Sequence, residues 1–287
     1  MTLAKKPTVK EILLLADGFL ARCKIGQSRL EAEVLLAAVL ATKRIELYIN
    51  FDRPLSANEL ENMRIALRRR SRGEPLAYIL GEKEFMSLPF SVDSSVLIPR
   101  PETEHLVEKA LGLIKDRGFK RLVDVGTGSG AIAVSLAFYA PSLQVLAIDL
   151  AEEALEVAKQ NAHRHGVLGR IEFLKGNLLE SLQNDKGNYD LVLANPPYIP
   201  SQEIANLALE VRQEPRLALD GGPDGLACYQ PLTRDAYSIL KNEGYLGLEI
   251  GYDQGQAVSK ILQAEGFSDI TIVQDYGGLD RCVWGKK

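Results

Sequence analysis

The sequence predicts an α/β protein: an open, mostly parallel sheet, covered by helices on both faces and preceded by a small all-helical domain. Two observations predict this class. From Arg121 onward, short apolar runs of strand length alternate with segments of helical periodicity, as in doubly wound sheets. Before about residue 74, the apolar residues recur at helical spacing instead.

Composition limits the function classes. The 287 residues, 46% of them hydrophobic, are enough for a catalytic domain and a smaller one. A net charge of −4 argues against a protein dominated by phosphate-backbone contacts. The three cysteines (Cys23, Cys228 and Cys282) are far apart and suit a reducing compartment. Charges interrupt the N-terminal apolar patch, so neither a secretory signal nor a membrane span is expected. We therefore expect a cytoplasmic protein.

The first element is a helical bundle over residues 1–74. Three segments carry the capping-box pattern of a helix start, namely Thr8–Glu11, Ser28–Glu31 and Ser56–Glu59. The last helix ends in "RRRSRGEP", at a glycine and a proline. The arginines between Arg68 and Arg72 suit a helix C-terminus, where cations are favoured, but they also suit an anionic partner.

A hairpin linker is predicted next, over residues 75–98, because "YILGEKEFMSLPFSV" is rich in aromatic and β-branched residues. The catalytic domain then occupies residues 99–287. It opens with "IPRPETE", where a proline and two acids introduce a helix. Arg100 and Glu102 either help close a ligand site or simply form this helix start.

The end of the first strand of the sheet is rich in glycine. In "DVGTGSGAIA", Gly126, Gly128 and Gly130 follow a strand and precede a helix, with Thr127 and Ser129 between them. Glycines permit positive φ and close approach of a ligand, although a tight turn also uses them. Asp149 ends the next strand, where a carboxylate can accept hydrogen bonds from ribose hydroxyls. Together they indicate a nucleoside-containing cofactor, although a structural aspartate that caps the next helix remains the alternative.

The glycine spacing favours one class of cofactor. Here it is G-x-G-x-G, whereas dinucleotide sites use G-x-G-x-x-G, so a nicotinamide oxidoreductase is the disfavoured alternative. The end of a later strand reads Asn195-Pro196-Pro197-Tyr198. This tetrapeptide resembles the signature of S-adenosylmethionine methyltransferases that modify planar, amino-bearing nitrogens. The resemblance implies a Rossmann-like class I methyltransferase sheet, with S-adenosyl-L-methionine as the cofactor.

The tetrapeptide also suits the chemistry. An amide nitrogen is a poor nucleophile because its lone pair is delocalised, so the site must orient it. The side-chain carbonyl of Asn195 can accept one N–H and the backbone carbonyl of Pro196 the other, while Pro197 restricts Pro196 and Tyr198 offers an aromatic wall. We predict Asn195, Pro196 and Tyr198 as catalytic residues, and all four as binding the substrate.

The tetrapeptide alone does not distinguish a glutamine substrate from an adenine substrate, because both present a planar NH2 group. A closer resemblance favours glutamine. "GEPLAYILGEKEF", "VLIPRPETE", "DVGTGSGAIA", "NPPYIP", "EPRLALDGGPDGL" and "LEIGYDQG" occur in the order found in HemK-type (PrmC) peptide chain release factor N5-glutamine methyltransferases. The resemblance covers the chain from about Gly73 to the C-terminus. It implies methylation of the glutamine of the Gly-Gly-Gln motif of release factors, a protein methylation that belongs to translation termination.

The resemblance also implies roles for the residues. The loop Gly126–Gly130 would bind the methionine side of the cofactor, Asp149 the ribose, and Asn195 would lie beside both cofactor and substrate. Asn177 stands where the family usually has aspartate beside the adenine, and Leu178 follows it, so we expect weaker discrimination of the cofactor. Docking of the release factor would fall to the helical bundle.

The histidines do not have the spacing of a metal site. His163 and His165 are two residues apart on a predicted helix and cannot form the usual i, i+4 metal pair, so we predict no metal. Adenine-N6 methylation of nucleic acid remains the alternative function, but no strongly basic recognition domain is evident, and no direct binding of nucleic acid or membrane is expected.

Overall fold

The computed structural model describes residues 6–182 and 184–287, so the first five residues of the predicted helical domain lie outside the described residues. The chain divides into two compact units. The first contains the chain up to Gly81 together with the segment Leu209–Gln213, and the second contains Glu82–Ala208 and Glu214–Lys287.

The first unit is helical. Its helices are α1 (Val9–Arg22), α2 (Ser28–Val39), α3 (Arg44–Ile49), α4 (Ala57–Ser71) and α5 (Leu76–Leu80). Thr8 and Ser56 form the predicted capping boxes of α1 and α4. The third predicted box is wrong: Ser28 is already the first residue of α2, Gln27 is the N-cap, and the N–H of Glu31 donates to the Gln27 carbonyl, so α2 begins without a side-chain cap.

The arginines at the end of α4 take part in pairing within this unit. The Arg69 guanidinium donates to both carboxylate oxygens of Glu74, at 2.8 and 2.5 Å. Arg70 is buried and pairs with Glu31 and with Glu210 of the segment Leu209–Gln213. The structural interpretation therefore accounts for these two arginines.

The second unit opens with the hairpin of β1 (Glu82–Phe85) and β2 (Leu88–Ser91). The part of the predicted linker that precedes this hairpin is not a strand but the helix α5, which belongs to the first unit. The remaining strands are β3 (Arg121–Val125), β4 (Gln144–Asp149), β5 (Ile171–Lys175), β6 (Tyr189–Ala194), β7 (Leu240–Glu249), β8 (Ser268–Gln274) and β9 (Asp280–Lys286). The remaining α-helices are α6 (Glu104–Arg117), α7 (Ala131–Tyr139), α8 (Glu152–Arg164), α9 (Tyr229–Ile239) and α10 (Gly255–Ala264).

The seven strands form one sheet in the order β5-β4-β3-β6-β7-β9-β8. The pairs from β5 to β7 are parallel, whereas β9 runs antiparallel to both β7 and β8, which confirms the predicted closing hairpin at the sheet edge. From β3 the sheet grows to one side through β4 and β5, and the chain then returns to the other side of β3 to form β6 and β7. The strand order therefore reverses at β3. Ligands of open parallel sheets bind at such a switch point, beyond the carboxyl ends of the strands.

Alternate residues of each central strand enter two separate cores. Leu191 and Leu193 of β6 belong to one hydrophobic cluster, and Val192 and Ala194 belong to the other. Side chains of a strand point alternately to opposite faces, so both faces of the sheet are covered. The predicted α/β class is confirmed, with a helical region before it. No helix in the described part of the chain is long and apolar enough to cross a membrane.

Candidate active site

One pocket of the second unit lies at the carboxyl ends of β3, β4, β5 and β6. Ten of the residues predicted from the sequence line it: Gly126, Thr127, Gly128, Ser129, Asp149, Asn177, Leu178, Asn195, Pro196 and Pro197. Parallel strands bring these residues together because their carboxyl ends meet at one edge of the sheet. Gly130 and Tyr198, also predicted, are not among the lining residues.

The glycines of the loop differ in what surrounds them. Gly126, Gly128 and Gly130 all have positive φ, at +71°, +55° and +79°. A Cβ on Gly126 would meet no protein atom within 4 Å, and one on Gly128 would meet only a backbone oxygen at 4.0 Å. A Cβ on Gly130 would lie 3.1 Å from the Cβ of Ala158. The first two glycines therefore keep pocket space open, whereas Gly130 allows α7 to pack against α8.

A buried acid supports this loop and was overlooked among the candidate residues. Asp124 accepts from the Thr127 hydroxyl at 2.6 Å and from the backbone N–H of Ala133 at 3.2 Å. Its other oxygen has no hydrogen-bond partner among the described residues. Burial raises the pKa of Asp124 to about 7. Asp124 is the first residue of the motif "DVGTGSG", so its place directly before the glycines is the signal for it in the sequence.

Asp149 connects the loop to the next helix. One carboxylate oxygen accepts from the backbone N–H of Gly128 at 2.8 Å, and the other accepts from that of Ala151 at 3.0 Å. Ala151 is the N-cap residue of α8, and this helix has no side-chain cap, so Asp149 orders the chain before the helix and does not cap its first turn. Each carboxylate oxygen has more than one lone pair, so both can still accept hydrogen bonds from a ligand.

Asn177 and Leu178 follow β5, and both line the pocket. The side-chain NH2 of Asn177 donates to Glu180 at 2.6 Å, which leaves its carbonyl oxygen available as an acceptor. Leu178 has a φ of +48° and packs against the second core cluster.

The residues after β6 lie between the pocket and the second core. The side-chain NH2 of Asn195 donates to the hydroxyl of Thr103 at 3.2 Å, and Thr103 donates to Glu249 at 2.6 Å. Tyr198 packs against the core cluster, where burial raises the pKa of its phenol above the usual range. Thr103 and Glu249 were not predicted, although both lie in motifs quoted for the resemblance, "RPETE" and "LEIG".

The sequence left open whether Arg100 and Glu102 help close a ligand site or only form a helix start. Arg100 lies in the pocket wall, whereas Glu102 is not among the lining residues. Glu214 holds this wall: its carboxylate accepts from the Arg100 guanidinium at 2.5 Å and from the backbone N–H of Ile98 at 3.0 Å. Arg100 therefore places a cationic side chain beside the pocket.

Comparison with known proteins identifies the family. Residues 11–81 match the family model of the PrmC N-terminal domain, and residues 104–222 match that of the methyltransferase small domain. The release factor glutamine methyltransferase of Geobacter sulfurreducens is 42% identical over 97% of this chain and 96% of its own. That of Chlorobaculum tepidum is 43% identical over 96% and 95%. The chain belongs to the release factor glutamine methyltransferase family. The predicted resemblance and enzyme class are confirmed, and relatives so named do not favour the adenine alternative.

Solved structures show the same fold as this methyltransferase. The catalytic domain of hMettl16, in complex with the MAT2A 3'UTR hairpin 6, superposes with a TM-score of 0.58 at 18% identity, over 77% of this chain and 81% of that one. A methyltransferase from Pyrococcus furiosus gives a TM-score of 0.52 at 17% identity, over 71% and 91%. The class I methyltransferase fold is thereby confirmed.

The pocket also fits the cofactor of this methyltransferase family, S-adenosylmethionine, as predicted. Loop glycines that leave space beside the backbone suit a ligand that approaches closely. A carboxylate with free lone pairs suits ribose hydroxyls, and an amide carbonyl suits the adenine amino group. The described residues contain no group of three His, Cys, Asp or Glu side chains placed to hold a metal ion.

Proposed function

We propose that the protein transfers the methyl group of S-adenosylmethionine to the side-chain amide nitrogen, N5, of the glutamine in the Gly-Gly-Gln motif of peptide chain release factors. The observation that carries this proposal is the position of Asn195, which lines the same pocket as Gly128 and Asp149. An amide that can orient a planar NH2 group thus lies beside the loop that suits the cofactor.

The cofactor-binding residues have separate tasks. S-adenosylmethionine, when bound, supplies an electrophilic methyl group on a positively charged sulfur. The loop Gly126–Gly130 holds the methionine side, and Asp149 accepts from the ribose hydroxyls. Asn177 and Leu178 contact the adenine, with the asparagine carbonyl as acceptor for the amino group.

The acceptor residues hold the glutamine amide. The side-chain carbonyl of Asn195 accepts one N–H and the backbone carbonyl of Pro196 the other, so the nitrogen lone pair faces the methyl group. Pro197 restricts the backbone of Pro196, and Tyr198 stiffens the exit from β6 from within the core. The new N–C bond would form as the bond between the methyl group and sulfur breaks, which would leave the sulfur as a neutral thioether. The nitrogen would then be acidic and release one proton to solvent, so no strong general base is required.

The two parts of the chain divide the work. We infer that the helical bundle, residues 1–74, docks the release factor, that residues 75–98 connect it, and that residues 99–287 carry out catalysis. The bundle exposes apolar side chains that suit a protein partner, among them Leu15 and Ile49, which are 67% and 75% exposed. Such an enzyme acts in translation termination, and we place it in the cytoplasm.

The test is mass spectrometry of a purified, unmethylated release factor after incubation with this protein and S-adenosylmethionine. Fragmentation should locate one added methyl group on the glutamine of Gly-Gly-Gln. A release factor with that glutamine changed to alanine is the control and should gain none. If the cofactor binds in calorimetry while the wild-type release factor stays unmethylated, the proposed substrate is wrong.

A further inference from the structure

A chain of hydrogen bonds lies behind Asn195. Its side-chain NH2 donates to the Thr103 hydroxyl at 3.2 Å, and that hydroxyl donates to the Glu249 carboxylate at 2.6 Å. The Asn195 side chain is also close enough to the Glu249 carboxylate to lower its pKa, against the larger effect of burial. Thr103 and Glu249 are both buried, at 4% and 2% exposure. The amide nitrogen of Asn195 therefore faces the buried hydroxyl of Thr103.

The carboxylate determines the direction of this chain. An ionised carboxylate only accepts hydrogen bonds, so Thr103 must donate to Glu249 and turns a lone pair toward Asn195. Only the NH2 end of the Asn195 amide can donate to this hydroxyl oxygen. The carbonyl end of the amide is then turned away from Thr103. Because Asn195 lines the pocket, this oxygen is left available to a ligand there.

We propose that Thr103 and Glu249 are positioning residues which fix the orientation of the Asn195 amide, so that its carbonyl accepts an N–H of the substrate. This inference rests on the proposed function and extends it to two residues outside the tetrapeptide. With the amide reversed, its NH2 group would face the NH2 group of the substrate, and neither could accept.

The protonation of Glu249 controls the same orientation. A protonated carboxyl can donate, and the Asn195 carbonyl could then turn inward to accept from it. The charged and titratable groups that interact electrostatically with Glu249 are Glu102, Tyr198, Tyr229, Arg281 and Cys282. No Lys, Arg or His in the described ranges forms an ion pair with it, and Arg281 pairs with Asp275. Burial raises the pKa of Glu249 to about 7, against the hydrogen bond from Thr103 and the nearby Asn195 amide, which both lower it.

The first test removes only the hydroxyl. Thr103→Val should lower kcat for release factor methylation roughly tenfold, because one hydrogen bond of the positioning chain is lost. The dissociation constant of S-adenosylmethionine should stay within about twofold, since the cofactor is held from the ends of β3, β4 and β5. Thr103→Ser should recover most of the lost activity.

Thr233 offers a matched control. It is a fully buried threonine of α9 whose hydroxyl has no hydrogen-bond partner in the described part of the chain. Thr233→Val removes the same atom away from the pocket and should leave kcat unchanged.

The second test uses pH. Glu249→Gln keeps the shape of the side chain but offers both a donor and an acceptor at every pH. Wild-type kcat should fall as Glu249 becomes protonated at low pH, and the ratio of wild-type to variant kcat should fall with it. A purely structural Glu249 would leave this ratio independent of pH. Asp124 titrates in a similar range but contributes to both proteins, so the ratio cancels its effect.

The outcomes separate the two proposals. If Thr103→Val and Thr233→Val have equal kcat, or if the ratio for Glu249→Gln does not change with pH, the positioning role is wrong while release factor methylation stands. If the wild-type protein itself leaves the release factor unmethylated, the proposed function fails first.

Discussion

In the proposed mechanism, the Asn195 side chain orients the glutamine amide that accepts the methyl group. Asn195→Ala should lower kcat by on the order of 10², by analogy with the loss of one polar contact in the transition state. It should retain most of the affinity for S-adenosylmethionine, because Asp149 and the glycine loop remain. Initial rates of release factor methylation, together with calorimetry, measure the two effects separately.

Asn242 provides the control for that variant, because it is an exposed asparagine in the first half of β7, whereas Glu249 ends the strand. Asn242→Ala should leave both quantities unchanged. Near-normal turnover of Asn195→Ala would contradict the role of the amide.

A substitution of Asp149 should affect cofactor binding more than turnover, because this carboxylate holds two backbone N–H groups beside the pocket. Asp149→Ala should weaken cofactor binding by roughly tenfold or more, since it removes the proposed ribose acceptor and releases the N–H groups of Gly128 and Ala151. Asp149→Asn, which retains one acceptor oxygen, should lose less. Calorimetric titration of each variant with S-adenosylmethionine decides, and an unchanged dissociation constant in Asp149→Ala would refute the ribose assignment.

At the scale of elements, the glycine loop allows a comparison of two similar substitutions. Gly128→Ala and Gly130→Ala both place a Cβ at positive φ, which costs roughly 1 kcal/mol in either case. Gly130→Ala adds a tight contact, 3.1 Å, with the Cβ of Ala158 and should therefore lose more stability. Gly128→Ala points into open space and should mainly weaken cofactor binding. Urea denaturation and calorimetry on both variants test this, and the reverse ranking would contradict the division of roles.

The end of α4 allows a similar comparison within the first unit. Arg70→Met should destabilise this unit by about 2 kcal/mol or more, because Glu31 and Glu210 lose a buried partner. Arg68 is exposed on the same helix, so Arg68→Met should have little effect. Hydrogen exchange of the α4 amides measures both, and equal protection in the two variants would show that the buried pairs add no stability.

The elements were largely predictable from the sequence, because their signals are local. Apolar periodicity and turn residues located β3 to β6 and the helices between them, and the motifs at the strand ends located most of the pocket. Thr103 and Glu249 were not predictable in this way. They are 146 positions apart, and only the folded sheet brings their side chains together. The Ser28 box failed because α2 begins one residue earlier than a Ser28 cap requires, and the Ser28 hydroxyl donates to Asp17 of another helix.

For the whole molecule, two buried acids make stability depend on pH. Asp124 and Glu249 are raised from pKa values of 3.8 and 4.5 to about 7 in the fold, so the native state retains protons that the unfolded state releases. Their contribution is fully present below the unfolded values and is lost as pH rises through about 7. Glu59 acts in the opposite direction: Arg53 lowers its pKa to about 2, so its contribution is lost only as pH falls toward that value.

We therefore expect the second unit to unfold more readily at about pH 8.5 than at about pH 5.5, by on the order of 1 kcal/mol or more. The chain has a single tryptophan, Trp284, buried in β9, so its fluorescence follows the unfolding of this unit alone. In Glu249→Gln the loss over this interval should be smaller, because one of the two titrating groups is gone. Urea denaturation of both proteins at the two pH values measures the difference. Identical losses would mean that Glu249 is not protonated in the native state over this interval, and hence that its hydrogen-bond chain to Asn195 keeps one direction throughout.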